Sequence, residues 1–236
     1  MTAQPSLMTF RTLFSIFFCL ASNTFAQTLP AFMIESCKIK EPVIAITFDD
    51  GPTENLSPKL LDILKEQEVK ATLFVIGKRS EKIPEKFLEI LKRADAEGHE
   101  IGNHTWTHKN LTEITREEAL TEIQQTTDVI NRTIGKKPTL FRPPFIATND
   151  DINRWIHDEL KMEIISASVD SLDWKDKNET MAFDNIMKKV APGSIIICHE
   201  TQPTTIAALP KILTELKAKG YRFVTVSKLL AMEKTP

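Results

Sequence analysis

The chain is predicted to be an α/β domain built on a mostly parallel sheet, and three observations carry that expectation. Short apolar, β-branched runs recur at 43–48, 71–76, 100–102, 139–142, 163–169, 194–198 and 222–226. Polar stretches with helical spacing and their own start and stop signals separate them. The runs are continuously apolar rather than alternating, as expected of strands covered on both faces by helices. Seven strands fit either a barrel-like α/β domain or an open doubly wound sheet. Both architectures collect functional residues where strands end and loops begin.

Each helix has a local justification. Ser57-Pro58 sets a cap residue before a first-turn proline and opens LLDILKEQ. Pro84 opens the next helix and Gly98 closes it. Thr115 with Glu118 makes a capping box, and that helix ends near Gly135. Asn149 or Asp150 caps a helix reaching Leu160. Thr180 starts another that Pro192-Gly193 stops. Pro210 begins the last long helix, which Gly220 ends.

Composition bounds the rest. The 236 residues are 42% hydrophobic and 26% charged, with a formal net charge of -2. Scattered lysines and arginines argue against a nucleic-acid partner. Residues 1–26 have one base, Arg11, then an apolar block and small polar residues ending Thr24-Phe25-Ala26, the layout of a secretory signal peptide. The block is shorter than the about 20 residues of a membrane helix, so export without stable membrane insertion is expected, an uncleaved anchor being the alternative. The remaining about 210 residues suffice for one domain, placed at 40–230. Cys37 and Cys198 are expected to be free thiols.

The strand ends are rich in polar chemistry. The first strand ends on Asp49-Asp50, whose side chains should point to opposite sides if the strand stays regular. The third ends in Asn103-His104-Thr105-Trp106-Thr107-His108, the fourth on Arg142-Pro143-Pro144-Phe145, the fifth in Asp170-Ser171-Leu172-Asp173-Trp174, and the sixth on His199-Glu200. Three of the five histidines fall at these points. His104 and His108 are four apart, a spacing that lets two imidazoles bind one metal from one side. Two nitrogens and a carboxylate with open positions describe a catalytic divalent site rather than a closed structural one.

TFDDGP, HTWTH, RPPF, DSLDW and ICH, in this order, resemble the five motifs of the polysaccharide deacetylases, the NodB-homology domains of carbohydrate esterase family 4. The resemblance covers roughly residues 40–230. It implies a distorted (β/α)7 barrel and a divalent metal, usually zinc, with cobalt or manganese as alternatives. The implied activity is hydrolysis of N-acetyl groups on amino-sugar polymers such as chitin, peptidoglycan or poly-N-acetylglucosamine. Such an ion polarises the acetamide carbonyl and acidifies the attacking water. By resemblance, Asp50, His104 and His108 are the ligands, Asp49 is the general base and Arg142 its partner. An Arg fork can hold a carboxylate by two hydrogen bonds. The backbone N–H of Phe145 is the implied oxyanion donor. His199 is the candidate general acid, with Asp173 keeping it protonated, and Trp174 and Ile197 are implied as pocket walls. Phe145-Ile146 replaces the family's usual Tyr-Gly, which changes the backbone shapes open to that loop. Asp170 reads as a structural turn residue, Trp106 as core, and His99 and His157 as ordinary polar positions. A hydrolase of another amide and an inactive carbohydrate-binding relative are the alternatives. The sequence does not specify an oligomeric state.

Overall fold

The computed structural model describes residues 1–2, 30–175 and 178–234. Apart from its first two residues, the expected signal peptide lies outside the described residues. Among these, no helix is long and apolar enough to cross a membrane.

Nine strands form the sheet: β1 Met33–Ile34, β2 Val43–Gly51, β3 Thr72–Val75, β4 Glu100–Asn103, β5 Leu140–Phe141, β6 Glu163–Ile165, β7 Val169–Asp170, β8 Ile195–His199 and β9 Arg222–Phe223. The order is β1-β6-β5-β4-β3-β2-β8-β7, with β9 beside β2, and every pairing between these strands is parallel. The expected run at 163–169 is therefore two strands, β6 one place in from one end of that path and β7 at the other end, joined only through Ser166, Ala167 and Ser168. Four steps of extended chain reach at most about 14 Å. The two sheet ends must come that close, so the sheet curls into a distorted (β/α)7 barrel.

Alternation along β2 separates two cores. Ile44, Ile46 and Phe48 pack outward against Leu60, Leu61 and Leu64 of α1 (Ser57–Glu66) and against Leu209, Ile212 and Leu213. Val43 and Ala45 face inward with Phe74, Ile165 and Ile195. A fully buried Leu or Ile stabilises the fold by about 1.5–3 kcal/mol, so this strand and its helices carry much of the core.

The remaining helices are α2 Arg79–Lys82, α3 Pro84–Ala96, α4 Arg116–Ile134, α5 Asp150–Trp155, α6 Glu179–Lys189, α7 Pro203–Ala218 and α8 Val226–Glu233. α4 has both halves of its capping box, and Gly135 ends it in the left-handed conformation at φ 71°. Asn149 rather than Asp150 caps α5, accepting from the Ile152 N–H. α6 is capped by Asn178 and starts at Glu179, not Thr180. α7 begins at Pro203 and carries Pro210 inside it. The last expected strand stops at Phe223, and Val226 opens α8 instead. Ser57 is no cap: its hydroxyl accepts from the Thr53 N–H at 2.6 Å and donates to Glu200 Oε1 at 3.0 Å. Cys37 and Cys198 are free and buried.

Candidate metal and catalytic site

The carboxyl ends of β2, β4, β5, β7 and β8 open into one cavity of about 360 Å³. Asp49 reaches it by regular alternation, inward like Ala45 and Thr47. Asp50 should then face away. It does not, because its φ is 73° and the β2–β3 register shifts between Asp49 and Gly51. This irregularity turns both carboxylates into the same cavity, correcting the opposite-sides expectation.

Asp50, His104 and His108 offer three donor atoms within 4.8 Å of one another. Both imidazole Nε2 atoms approach Asp50 Oδ1, His104 at 3.6 Å and His108 at 3.3 Å. His104 Nδ1–H donates to the Arg142 carbonyl at 2.7 Å, which leaves Nε2 bare toward the cavity. Burial pushes His104 down to about 3 against the pull of Asp50, so its ring is neutral, as a ligand must be. Asp50 Oδ1 is buried with no hydrogen-bond partner. An orphaned carboxylate oxygen facing two imidazole nitrogens is unfavourable unless a cation satisfies it, so these residues fit a divalent ion. The loop bearing them is held from behind: Asn103 Oδ1 accepts from the Thr105 N–H, and Glu122 accepts from the Thr107 N–H and hydroxyl.

Arg142 is wholly buried and lies over the Phe74 ring, 4.2 Å from its centroid. It does not grip Asp49 with both arms. One Nη1 donates to Asp49 Oδ1 and to Thr47 Oγ1, each at 2.7 Å, while Nε and Nη2 donate to the Ile165 and Ser166 carbonyls. Two strands, β2 and β6, and the Ser166 carbonyl just beyond β6 thus share one guanidinium. Burial raises the Asp49 carboxyl, while Arg142 and His199 pull it back only in part.

Across the cavity, His199 Nδ1–H donates to Asp173 Oδ1 at 2.7 Å, and the His199 main-chain N–H donates to Asp173 Oδ2 at 2.7 Å. Burial disfavours the imidazolium, but the Asp173 hydrogen bond and the Asp49, Asp173 and Asp50 charges outweigh it and raise His199 to about 9. Burial likewise opposes the Asp173 carboxylate, yet its bonds to His199 and Thr205 leave it below its ordinary value.

Phe145, Trp174 and Ile197 all line the cavity. Trp174 is 56% exposed, so it is not core packing. Phe145 is also exposed, with its ring edge-on to His108 at 4.6 Å. Phe145 and Ile146 both have left-handed backbone, φ 58° and 55°, with no glycine to ease it. Asp50, Thr105 and His108 share that conformation. Strain of about 1–3 kcal/mol per residue is characteristic of functional sites. Asp170 keeps its turn role, accepting from the Leu172 N–H, and also lines the cavity.

Sequence reasoning passed over Glu200. It is buried behind Gly51, where a Cβ would lie 1.1 Å from Glu200 Oε1. Burial raises it to about 8. Its only sequence signal was a carboxylate directly after His199. His99 is not an ordinary polar position: it is buried, accepts from the Ala71 N–H at 3.1 Å, and burial lowers it to about 4. A larger cavity of about 600 Å³ lies between the start of α4 and α5, where Arg116 pairs with Glu159 and stacks on Trp155. Among the described residues it gathers no metal-ligand cluster, whereas the smaller cavity does.

A family model for polysaccharide deacetylases matches residues 37–165. The peptidoglycan-N-acetylmuramic acid deacetylase PdaC of Bacillus subtilis is 38% identical over 85% of this chain. A peptidoglycan-N-acetylglucosamine deacetylase of Bacillus cereus is 38% identical over 81% of it. The chain spans 41% of the first relative's length and 69% of the second's. The crystal structure of the Bc1960 peptidoglycan N-acetylglucosamine deacetylase with 4-naphthalen-1-yl-N-oxidanyl-benzamide superposes with a TM-score of 0.79 at 36% identity, covering 84% of this chain and 92% of that one. With the barrel and the strand-end motifs in agreement, the chain belongs to the polysaccharide deacetylase family.

Proposed function

We propose that residues 40–230 form a metal-dependent hydrolase that removes N-acetyl groups from amino-sugar polymers, peptidoglycan foremost, and that residues 1–26 direct its export. The observation that carries this reading is the convergence of three candidate ligands, an Arg-held carboxylate and an Asp-held imidazole on one cavity. Asp50, His104 and His108 would hold a divalent cation, for which two nitrogens and one oxygen suit zinc. Such an ion polarises an acetamide carbonyl and acidifies water.

The chain's own groups do the remainder. Asp49 takes a proton from the attacking water, and Arg142 keeps that carboxylate ionised and aimed. The Phe145 main-chain N–H is assigned to the developing oxyanion. His199, kept protonated by Asp173, gives its proton to the departing amine. Trp174 and Ile197 offer apolar surface to the acetyl methyl and the sugar face.

Acetate release from N-acetylglucosamine oligomers and from peptidoglycan, with and without chelator, tests the reading. Activity should vanish with chelator and return with zinc. His104→Ala should lose bound metal and activity together. Chelator-resistant acetate release, or full metal content in His104→Ala, overturns the ligand set.

A further inference from the structure

A second cleft, about 300 Å³, opens on the other side of the same ligands. Asp50 and His108 wall both cavities, and the second is further lined by Ile76, Thr107 and three cations, Lys78, Arg79 and Lys82. Lys78 and Lys82 are exposed and Arg79 is half-buried. Among the described residues none of these three side chains makes a salt bridge or hydrogen bond. Glu81, the acid of the same short helix, does not line the cleft.

The backbone that carries these cations is fixed against the ligand loop. The Gly77 and Lys78 N–H groups donate to the Thr105 and Trp106 carbonyls, each at 3.0 Å. A Cβ at Gly77 would meet the Trp106 ring at 2.4 Å, so the close approach depends on glycine. These three like charges repel one another, offset in part by Asp50 on the cleft wall and by the pull between Arg79 and the buried Glu200, and an anion set among them relieves that repulsion. Arg presents a planar fork suited to a carboxylate.

We propose that this cleft is an anion subsite for the carboxylate of an ether-linked substituent on the sugar carbon next to the acetamido carbon, as in a muramic-type amino sugar. An acetamide in the first cavity brings a substituent on the adjacent ring carbon to the shared Asp50–His108 wall, beyond which the cations lie. This rests on the proposed deacetylase reading and narrows it to anionic glycans over neutral ones.

The test compares kcat/KM for acetate release from two tetrasaccharides. One contains only N-acetylglucosamine; the other alternates it with N-acetylmuramic acid. The methyl ester of the latter serves as a neutral control. The native protein should prefer the free acid over its ester. Lys78→Gln/Lys82→Gln and Arg79→Gln, separately and combined, should lower the acid-to-neutral ratio, the triple variant at least about tenfold and mainly through KM. Added salt should erode the same preference. An unchanged ratio in the triple variant, or equal losses on all three substrates, overturns the subsite. Should no acetate be released from any of them, the deacetylase reading fails by itself. Calorimetric binding of acid against ester, native against triple variant, then decides the subsite: equal affinities refute it.

Discussion

Asp49 and Asp50 are neighbours in the chain, but different forces place them. Strand alternation delivers Asp49 to the guanidinium of Arg142, and a left-handed turn swings Asp50 toward the imidazoles. Asp49→Asn keeps the shape and one acceptor oxygen for Arg142. It should retain its metal by elemental analysis and lose acetate release by about 10²–10⁴-fold, the range for removing a general base. Full activity in that variant would move the base elsewhere. His199 gives a pH prediction. Its folded pKa, about 9, lies above its ordinary 6.5, so its stabilisation is complete below about 6.5 and fades as pH rises through 9. Asp173 is shifted down, so its share exists above its ordinary 3.8 and is lost as pH falls through its folded value. NMR titration should put the native His199 midpoint near 9, and Asp173→Asn should bring it down while removing the alkaline slope of Tm. Most of these residues were legible because strand ends are where parallel folds expose polar chemistry. Glu200 was not, since its burial depends on Gly51, 149 positions earlier, having no side chain. The single-armed grip of Arg142 was hidden for a similar reason: the Ile165 and Ser166 carbonyls that compete for its fork come from another strand.

At the scale of elements, strong local signals survived and ambiguous ones did not. The α4 capping box and Gly135 closure act within a few residues, and both formed as read. The sequence placed the start of α7 at Pro210, whereas the helix begins at Pro203, and packing accounts for the difference. Thr205, Ile206 and Leu209 are buried, so tertiary contact extends the helix back to Pro203 and tolerates the second proline inside it. Pro210 is exposed, and it lacks the N–H that would bond one turn back. Pro210→Ala should stabilise the protein by about 1–2 kcal/mol, the gain in helix being reduced by a freer unfolded chain. Thermal melts would show this as a Tm higher by several degrees, and a lower Tm would contradict it. The 163–169 segment looked like one strand because β-branched residues stand toward both its ends, and the small Ser166-Ala167-Ser168 between them does not by itself break a strand. Its division at Ser166–Ser168 comes from ring closure, a long-range constraint without a local mark.

For the whole molecule, Arg142 acts as a tie across the barrel interior. From just beyond β5 it reaches Thr47 and Asp49 on β2 and carbonyls at and just beyond the end of β6, above the ring of Phe74. Arg142→Ala leaves a buried carboxylate without its partner and should cost about 3–5 kcal/mol. Denaturant midpoints would measure it. Adding Asp49→Ala should recover part of that loss, because the stranded charge goes with it. Simple additivity of the two changes would show that the pair is not coupled. Another molecular consequence comes from the backbone of Asp50, Thr105, His108, Phe145 and Ile146. A directed-evolution screen for heat resistance alone would be drawn to these positions, since glycine or asparagine relaxes each of them. Clones enriched that way should outlast the parent in a hot bath while turning over more slowly, their reactive groups no longer locked in register.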